Sequence, residues 1–177
     1  MQQPILHTDR LIFEPFNPSD VQDIFSYAKD VEVAKMVTWP AHQSLEDSQN
    51  VLKWIEQTTS NQQGRIFFVW ALRDKITNKV IGSIDFKNVF PHAGQIDYAL
   101  GKSEWNRGLV TEAANAVKNW AFESVPNLVR LQAFCIAENV GSRKVMEKLG
   151  MHLEGTKRKS MAIKGQIVDT AHYAIIK

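Results

Sequence analysis

A strand, a tight turn and a helix follow one another in residues 95–124, and this unit constrains the fold more than any other part of the sequence. Residues 95–100 alternate between apolar and polar side chains, which indicates a half-buried strand. Asn106 to Thr111 then form a turn around Gly108. The first N–H groups of a helix lack partners, and the helix dipole makes that end positive. The turn therefore predicts either a phosphate or pyrophosphate site on backbone N–H groups, or a plain connection in which Gly108 satisfies sterics alone.

A second motif, Glu138 to Gly150, predicts a helix with a polar entry. One helical face carries residues at i, i+3, i+4 and i+7, namely Ser142, Val145, Met146 and Leu149. Ser142 would lie in the first turn at the rim of the core, where its hydroxyl could meet a ligand, and Asn139 would be the N-cap. The alternative is that both residues serve only to start the helix.

The order of predicted elements indicates a mixed α/β (α+β) domain that spans residues 1–177. Helical patterns follow the capping residues Asn17 to Asp20 and Ser44 with Asp47. Between these two helices, a short second helix is predicted for residues 31–37. Residues 58–64 are a polar loop, and two later helices cover residues 111–124 and 139–149. The seven predicted strands are residues 8–16, 66–72, 79–89, 95–100, 128–137, 151–157 and 166–176. They form a mostly antiparallel sheet with one parallel crossover.

Composition excludes several classes of protein. The 177 residues are 44% hydrophobic and 23% charged, with 21 Lys and Arg against 19 Asp and Glu. A net charge of +2 does not favour direct nucleic-acid binding, and no apolar run is long enough for a membrane span. The N-terminus lacks a signal-peptide pattern, and the single Cys135 excludes an internal disulfide, so we expect a cytoplasmic protein. The five histidines lack metal-ligand spacing, so no metal is expected.

Together, and with a strand between them, the motifs Trp105 to Glu112 and Glu138 to Gly150 resemble the GNAT superfamily of acetyl-CoA-dependent N-acetyltransferases. They are most similar to its RimJ/RimL group, which includes the ribosomal-protein N-terminal acetyltransferases. Thr8 to Leu11, Val80 to Ile84 and Leu149 to Gly155 extend the resemblance over nearly the whole chain. It implies a GNAT-like sheet flanked by helices and splayed between its fourth and fifth strands.

The resemblance also implies where acetyl-CoA, the acetyl donor, would bind. The backbone of Leu100, Gly101 and Lys102 would lie along the pantetheine arm. The pyrophosphate would rest in the turn that opens at Asn106, on the N–H groups of Arg107, Gly108, Leu109, Val110 and Thr111. Asn139 and Ser142 would face the pantetheine and the thioester sulfur.

Five positions depart from the pattern of this group. Asn106 stands where glycine is usual, and Val110 where a small residue is usual. Gln95 replaces a frequent glutamate, and Asp97 a frequent glycine. The carboxylate that some relatives use beyond the sixth strand would fall near Met161, which cannot take a proton.

Four residues are candidates for catalysis. A backbone N–H near Leu100 would polarise the thioester carbonyl as an oxyanion donor, and Ser142 would hydrogen-bond or protonate the leaving sulfur. Asp85 and Asp97 alternate outward on their strands and could act as base through water. The alternative for either aspartate is a solvated or ion-paired strand residue.

The resulting hypothesis is an enzyme that acetylates a primary amine, with a protein N-terminus as one acceptor. A small-molecule acceptor such as a polyamine, amino acid or antibiotic is the alternative within the enzyme class. A non-catalytic acyl-CoA-binding module is the alternative outside it, because no carboxylate lies near Met161. Related proteins suggest a monomer or homodimer.

Overall fold

The computed structural model describes residues 1–60 and 65–177. Its strands are β1 (Leu6–His7), β2 (Leu11–Pro15), β3 (Phe67–Asp74), β4 (Val80–Phe90), β5 (Ala93–Leu100), β6 (Arg130–Ile136), β7 (His152–Ile163) and β8 (Gln166–Ile176). Its α-helices are α1 (Val21–Ala28), α2 (Val31–Lys35), α3 (Leu45–Ser60), α4 (Leu109–Ser124) and α5 (Val140–Lys148), and 3₁₀ turns cover Pro18–Asp20 and Lys102–Glu104. The predicted loop at 58–64 begins too early, because α3 continues to Ser60, and residues 61–64 lie outside the described residues.

The strands form one sheet in the order β1-β2-β3-β4-β5-β6-β8-β7, and only β5 and β6 pair in parallel. The mixed, mostly antiparallel sheet is thus confirmed, with eight strands instead of seven within the described residues. The additional strand is β1, in which Leu6 and His7 pair with Phe13 and Ile12 at the sheet edge. Two residues are too few to show a period-2 pattern, so the sequence does not reveal this strand.

Strand β7 (His152–Ile163) extends beyond the predicted range 151–157, because a bulge interrupts the alternation of its side chains. Lys157 pairs with Thr170 but Met161 pairs with Val168, so β7 carries two extra residues at this point. Lys159 takes a left-handed backbone conformation, and its N–H donates to Asp169 Oδ1 at 2.7 Å. The hairpin therefore continues past the point where the alternation of side chains is lost.

The core lies between the sheet and α4. Trp120 of α4 is 9% exposed and contacts Phe68, Trp70 and Phe86, with ring centroids 5.3–5.8 Å apart. The alternate residues of β3 face the other side of the sheet, where Phe67 meets Trp54 of α3. Helices α1 and α3 therefore cover one face of the sheet, and α4 and α5 cover the other.

The sheet opens between β5 and β6. The two strands pair only from Ala93 to Gln95 with Arg130 to Gln132, and β5 continues to Leu100 without its neighbour. The splay predicted between the fourth and fifth strands is this gap. Within residues 1–60 and 65–177, every helix is too short or too polar to cross a membrane.

Candidate active site

A cleft with a volume of about 1350 Å³ is lined from both faces of the sheet. On the α4 and α5 side it contains the start of both helices, and on the other side it contains parts of α1, α2 and α3. Ten predicted site residues line it, namely Asp85, Asp97, Leu100, Asn106, Gly108, Leu109, Val110, Thr111, Asn139 and Ser142. Gly101, Lys102 and Arg107 lie outside this lining.

The turn before α4 presents backbone N–H groups to the cleft. Asn106 and Gly108 have φ angles of 60° and 76°, so asparagine adopts the left-handed conformation at the position where glycine is usual. No side chain caps α4, and its first internal hydrogen bond runs from Glu112 N–H to the Gly108 carbonyl at 3.0 Å. The N–H groups of Leu109 to Thr111 are therefore left without helical partners.

Arg10 fixes the outer side of this turn. Its guanidinium donates to the Arg107 carbonyl at 2.9 Å and to the Glu112 carboxylate at 2.7 Å. The Arg107 side chain pairs with Glu104 on the exposed side of the turn. The positive charge of Arg107 is thus partly neutralised before any ligand arrives. The turn is held by contacts that leave its inner face open.

Ser142 has a partner that the sequence analysis missed. Its hydroxyl lies 2.9 Å from the Tyr98 hydroxyl, and the Asn139 carboxamide accepts from the Ser142 N–H at 3.0 Å. Burial raises the pKa of Tyr98, although the hydrogen bond to Ser142 opposes this rise. Tyr98 therefore remains protonated and can orient the Ser142 hydroxyl. The strand period places Tyr98 on the same face of β5 as Ile96 and Leu100. A hydroxyl group on this otherwise apolar face is the sequence signal that could have identified Tyr98.

Cys135 lies beside this pair and also lines the cleft. Its sulfur is 3.9 Å from the Asn139 carbonyl oxygen, and the residue is 8% exposed. Burial raises the pKa of the Cys135 thiol, so the thiol is protonated and is a poor nucleophile. Packing in the core accounts for this residue.

Leu100 directs one N–H group into the gap between β5 and β6. The N–H of the next residue, Gly101, donates to the Ile81 carbonyl of β4 at 2.9 Å. Successive N–H groups of a strand point to opposite edges, so the Leu100 N–H points away from β4. The Leu100 carbonyl accepts from Trp105 Nε1 at 2.8 Å, which fixes the end of the strand.

Asp85 and Asp97 are opposite one another on β4 and β5 and share the Lys87 ammonium. The ammonium lies 2.6 Å from Asp97 Oδ2 and 3.9 Å from Asp85 Oδ1. Gln95 also donates to Asp97 at 2.9 Å, whereas Asp85 Oδ1 is buried without a hydrogen-bond partner among the described residues. Asp97 is thus ion-paired, and Asp85 is the less satisfied carboxylate.

The charge states of this group follow from its surroundings. Burial, with the Asp97 carboxylate, raises the pKa of Asp85 well above its ordinary value, against the opposing effect of Lys87. Burial alone would lower the pKa of Lys87, but the two carboxylates raise it. Lys87 therefore stays protonated, and Asp85 is the carboxyl group of the cluster that accepts a proton readily.

The α1–α3 side of the cleft is aromatic. Tyr27, Trp39, Trp54 and Phe67 line it, together with the buried His42. His42 Nδ1 lies 2.9 Å from Ser48 Oγ, and burial lowers the pKa of His42, so this ring is neutral. Trp54 is 53% exposed, whereas Trp70 is fully buried in the core.

The chain is similar in sequence and in structure to known acetyltransferases. The profile of the acetyltransferase (GNAT) domain matches residues 10–152. The uncharacterized N-acetyltransferase p20 of Bacillus licheniformis is 26% identical over 97% of this chain and 96% of its own length. An acetyltransferase of the GNAT family from Bacillus anthracis has a similar structure, with a TM-score of 0.85, 26% identity and 98% of each chain covered.

A third comparison concerns the predicted group within the family. RimL, a ribosomal L7/L12 α-N-protein acetyltransferase crystallised in complex with coenzyme A, has the same fold, with a TM-score of 0.82. It is 20% identical to this chain, and the alignment covers 98% of both. The chain belongs to the GNAT acetyltransferase family, has RimL among its structural neighbours, and is an N-acetyltransferase.

Proposed function

We propose that this enzyme transfers the acetyl group of acetyl-CoA to a primary amine within the large cleft, without a metal. The observation that carries this proposal is the hydrogen bond between Tyr98 and Ser142 at the gap between β5 and β6. The gap also receives the Leu100 N–H, and the unpaired N–H groups of Leu109 to Thr111 lie along the same cleft. A donor of protons and a donor to an oxyanion thus meet at one place.

The residues present fit acetyl-CoA as a substrate. The N-terminus of α4 offers unpaired N–H groups and a positive dipole end to the pyrophosphate. A Cβ atom at Gly108 would approach only Arg10 Nη2, at 3.7 Å, so the surroundings of this glycine are not crowded. The start of α5, with Asn139 and Ser142, lines the same cleft as the start of α4. The pantetheine arm would lie between them, along the edge of β5 that β6 leaves unpaired.

Acetyl-CoA supplies an activated acetyl group as a thioester. When the amine nitrogen forms its bond to the carbonyl carbon, the Leu100 N–H can donate to the oxygen that becomes negative. When the carbon–sulfur bond breaks, the Ser142 hydroxyl can donate to the departing thiolate. Tyr98 orients that hydroxyl and remains protonated.

Asp85 is the better of the two candidate bases. Acetylation requires a neutral amine, so a proton must leave the ammonium form of the acceptor. Asp97 is ion-paired with Lys87 and accepts a hydrogen bond from Gln95, whereas Asp85 Oδ1 has no hydrogen-bond partner in residues 1–60 and 65–177. The raised pKa of Asp85 also makes its carboxylate a stronger base than that of an ordinary aspartate. We assign the proton-accepting role to Asp85, directly or through water.

The acceptor is either a protein N-terminus, as the name of RimL states for that enzyme, or a small amine. We further propose that the enzyme works in the cytoplasm as a monomer or homodimer. The test is free-thiol release from acetyl-CoA in the presence of a panel of amines and peptides. Thiol release with one acceptor class supports the proposal and identifies the class. Tight acetyl-CoA binding without release from any acceptor contradicts it and supports a binding module instead.

A further inference from the structure

The α1–α3 side of the cleft, which we call the acceptor region, carries aromatic side chains that are not fully buried in the core. Tyr27, Trp39, Trp54 and Phe67 come from α1, the loop after α2, α3 and β3, and all four line the cleft. Trp54 meets Phe67 edge-on at 6.1 Å but leaves 53% of its surface exposed. Half-exposed aromatic rings in a concave wall are typical of a surface that binds an apolar group.

The charge of the same region is close to neutral. Three carboxylates, Glu32, Asp85 and Asp97, face two ammonium groups, Lys35 and Lys87. Lys87 lies 2.6 Å from Asp97 but 3.9 Å from Asp85, so Asp85 is the inner carboxylate with the weaker ion pair. The region thus offers a place for one cation and little for a second.

A third observation concerns the size of the acceptor. Lys164, in the turn between β7 and β8, donates to the carbonyl oxygens of Ala34, Val37 and Trp39. Val37 and Trp39 line the cleft on one side, and Ile163 lines it from the hairpin. The ammonium group therefore ties two walls of the acceptor region to each other, and this tie limits how far they can separate.

From these observations we infer that the acceptor is a primary monoamine joined to an aromatic or bulky apolar group. Its nitrogen would lie over Asp85, and its ring would lie against Trp54 and Phe67. This inference rests on the proposed acetyl transfer and adds the substrate class. The same chemistry occurs in a free arylalkylamine and at the first residue of a peptide that begins with tryptophan or phenylalanine.

Thiol release should therefore be compared for tryptamine, ethanolamine and spermidine, and for two peptides that differ only in Trp or Ser at the first position. We expect kcat/KM for tryptamine to exceed that for ethanolamine about tenfold or more, because an aromatic ring is removed from water. Spermidine should be a poorer substrate than tryptamine although it carries more amino groups, because the region has a place for one cation only. The two peptides show whether a polypeptide also reaches the site. A higher rate for the Trp peptide than for the Ser peptide assigns the aromatic group to a chain terminus. Activity with tryptamine and with neither peptide assigns it to a free amine.

Trp54→Ala should remove the preference for tryptamine over ethanolamine, and Trp54→Phe should retain most of it. The control is Phe90→Ala, because Phe90 is an aromatic residue that is 61% exposed and lies outside the cleft. Equal or faster acetylation of spermidine or ethanolamine overturns this inference and leaves the proposed acetyl transfer intact. An unchanged preference in Trp54→Ala also overturns it. Absence of thiol release with every amine overturns both proposals.

Discussion

The Tyr98 and Ser142 hydroxyl groups lie 2.9 Å apart and join β5 to the first turn of α5 across the gap in the sheet. The Tyr98 hydroxyl oxygen also lies 3.3 Å from the Ser142 carbonyl oxygen, so the phenol contacts both the backbone and the side chain of this residue. The position of the Ser142 hydroxyl is therefore set by a strand that belongs to the other side of the gap.

If this pair acts as a unit, Tyr98→Phe and Ser142→Ala should each lower kcat about 10- to 100-fold. Ser142→Ala removes the donor to the departing sulfur, and Tyr98→Phe removes the hydrogen bond that orients this donor. The double variant should lose little more than either single variant. Single-turnover kinetics at saturating acetyl-CoA measures these values. Tyr173→Phe is the matched control, since its buried hydroxyl contacts Arg143 and Glu147 outside the cleft. Full turnover by Ser142→Ala would show that its proposed chemical role is wrong.

Gly108→Ala should weaken acetyl-CoA binding about threefold to tenfold, because relaxation of the strained turn moves the N–H groups that follow it. Gly165 is a matched control, with a φ of 79° against 76° and open space around its Cβ position in the β7–β8 turn. Both variants should lose about 1 kcal/mol of unfolding free energy. Calorimetric titration with acetyl-CoA separates the two, and equal affinities would argue against a role for this turn in binding.

Asp85→Asn should stabilise the protein at neutral pH while lowering its activity. An aspartate with a raised folded-state pKa binds more protons in the folded protein than in the unfolded chain, so stability falls as pH rises from about 3.9 through that pKa. The amide removes this loss, so Tm should increase above the folded-state pKa, and the difference should shrink below about pH 4.

The activity of this variant gives the second measurement. As a base, Asp85 must be deprotonated, so kcat/KM of the wild-type enzyme should rise with pH through its raised pKa. The Asn variant should be about 100-fold less active and lose that rise. Asp9→Asn, in an exposed turn outside the cleft, provides the control. A variant that retains the pH dependence would remove Asp85 from the mechanism.

Lys164→Met should raise KM for the amine about threefold or more, while the affinity for acetyl-CoA stays unchanged. The variant loses the hydrogen bonds to Ala34, Val37 and Trp39 and about 1 kcal/mol of stability, since the ammonium is only partly shielded from water. Lys159→Met is the matched control, because Lys159 has a similar left-handed φ in the same hairpin, 46° against 48°. Equal KM values for the two variants would contradict the role of the tie.

The parts of the site that the sequence predicts are those that depend on local pattern. The turn around Gly108, the Asn139 cap and the alternation of β5 follow from neighbouring residues, and the resemblance adds the gap between the strands. Contacts between distant residues have no such pattern. Tyr98 and Ser142 are 44 positions apart, and Lys164 and Ala34 are 130 positions apart.

Charge neighbours were also beyond the reach of the sequence. Asp85 and Asp97 looked alike as outward residues of two strands, and only the register places Lys87 beside one and leaves the other less satisfied. The exposure of Trp54 is similar in kind, because it depends on how α3 lies over β3.

The place of β8 between β6 and β7 has a consequence for biosynthesis. A ribosome releases β6 well before residues 166–176, so β6 must wait for a partner that emerges about 30 residues later. The Lys164 tie likewise joins α2 to a turn made far downstream. The walls of the acceptor region therefore come together only after nearly all of these residues have left the exit tunnel. We expect a nascent chain that stops before β8 to be inactive.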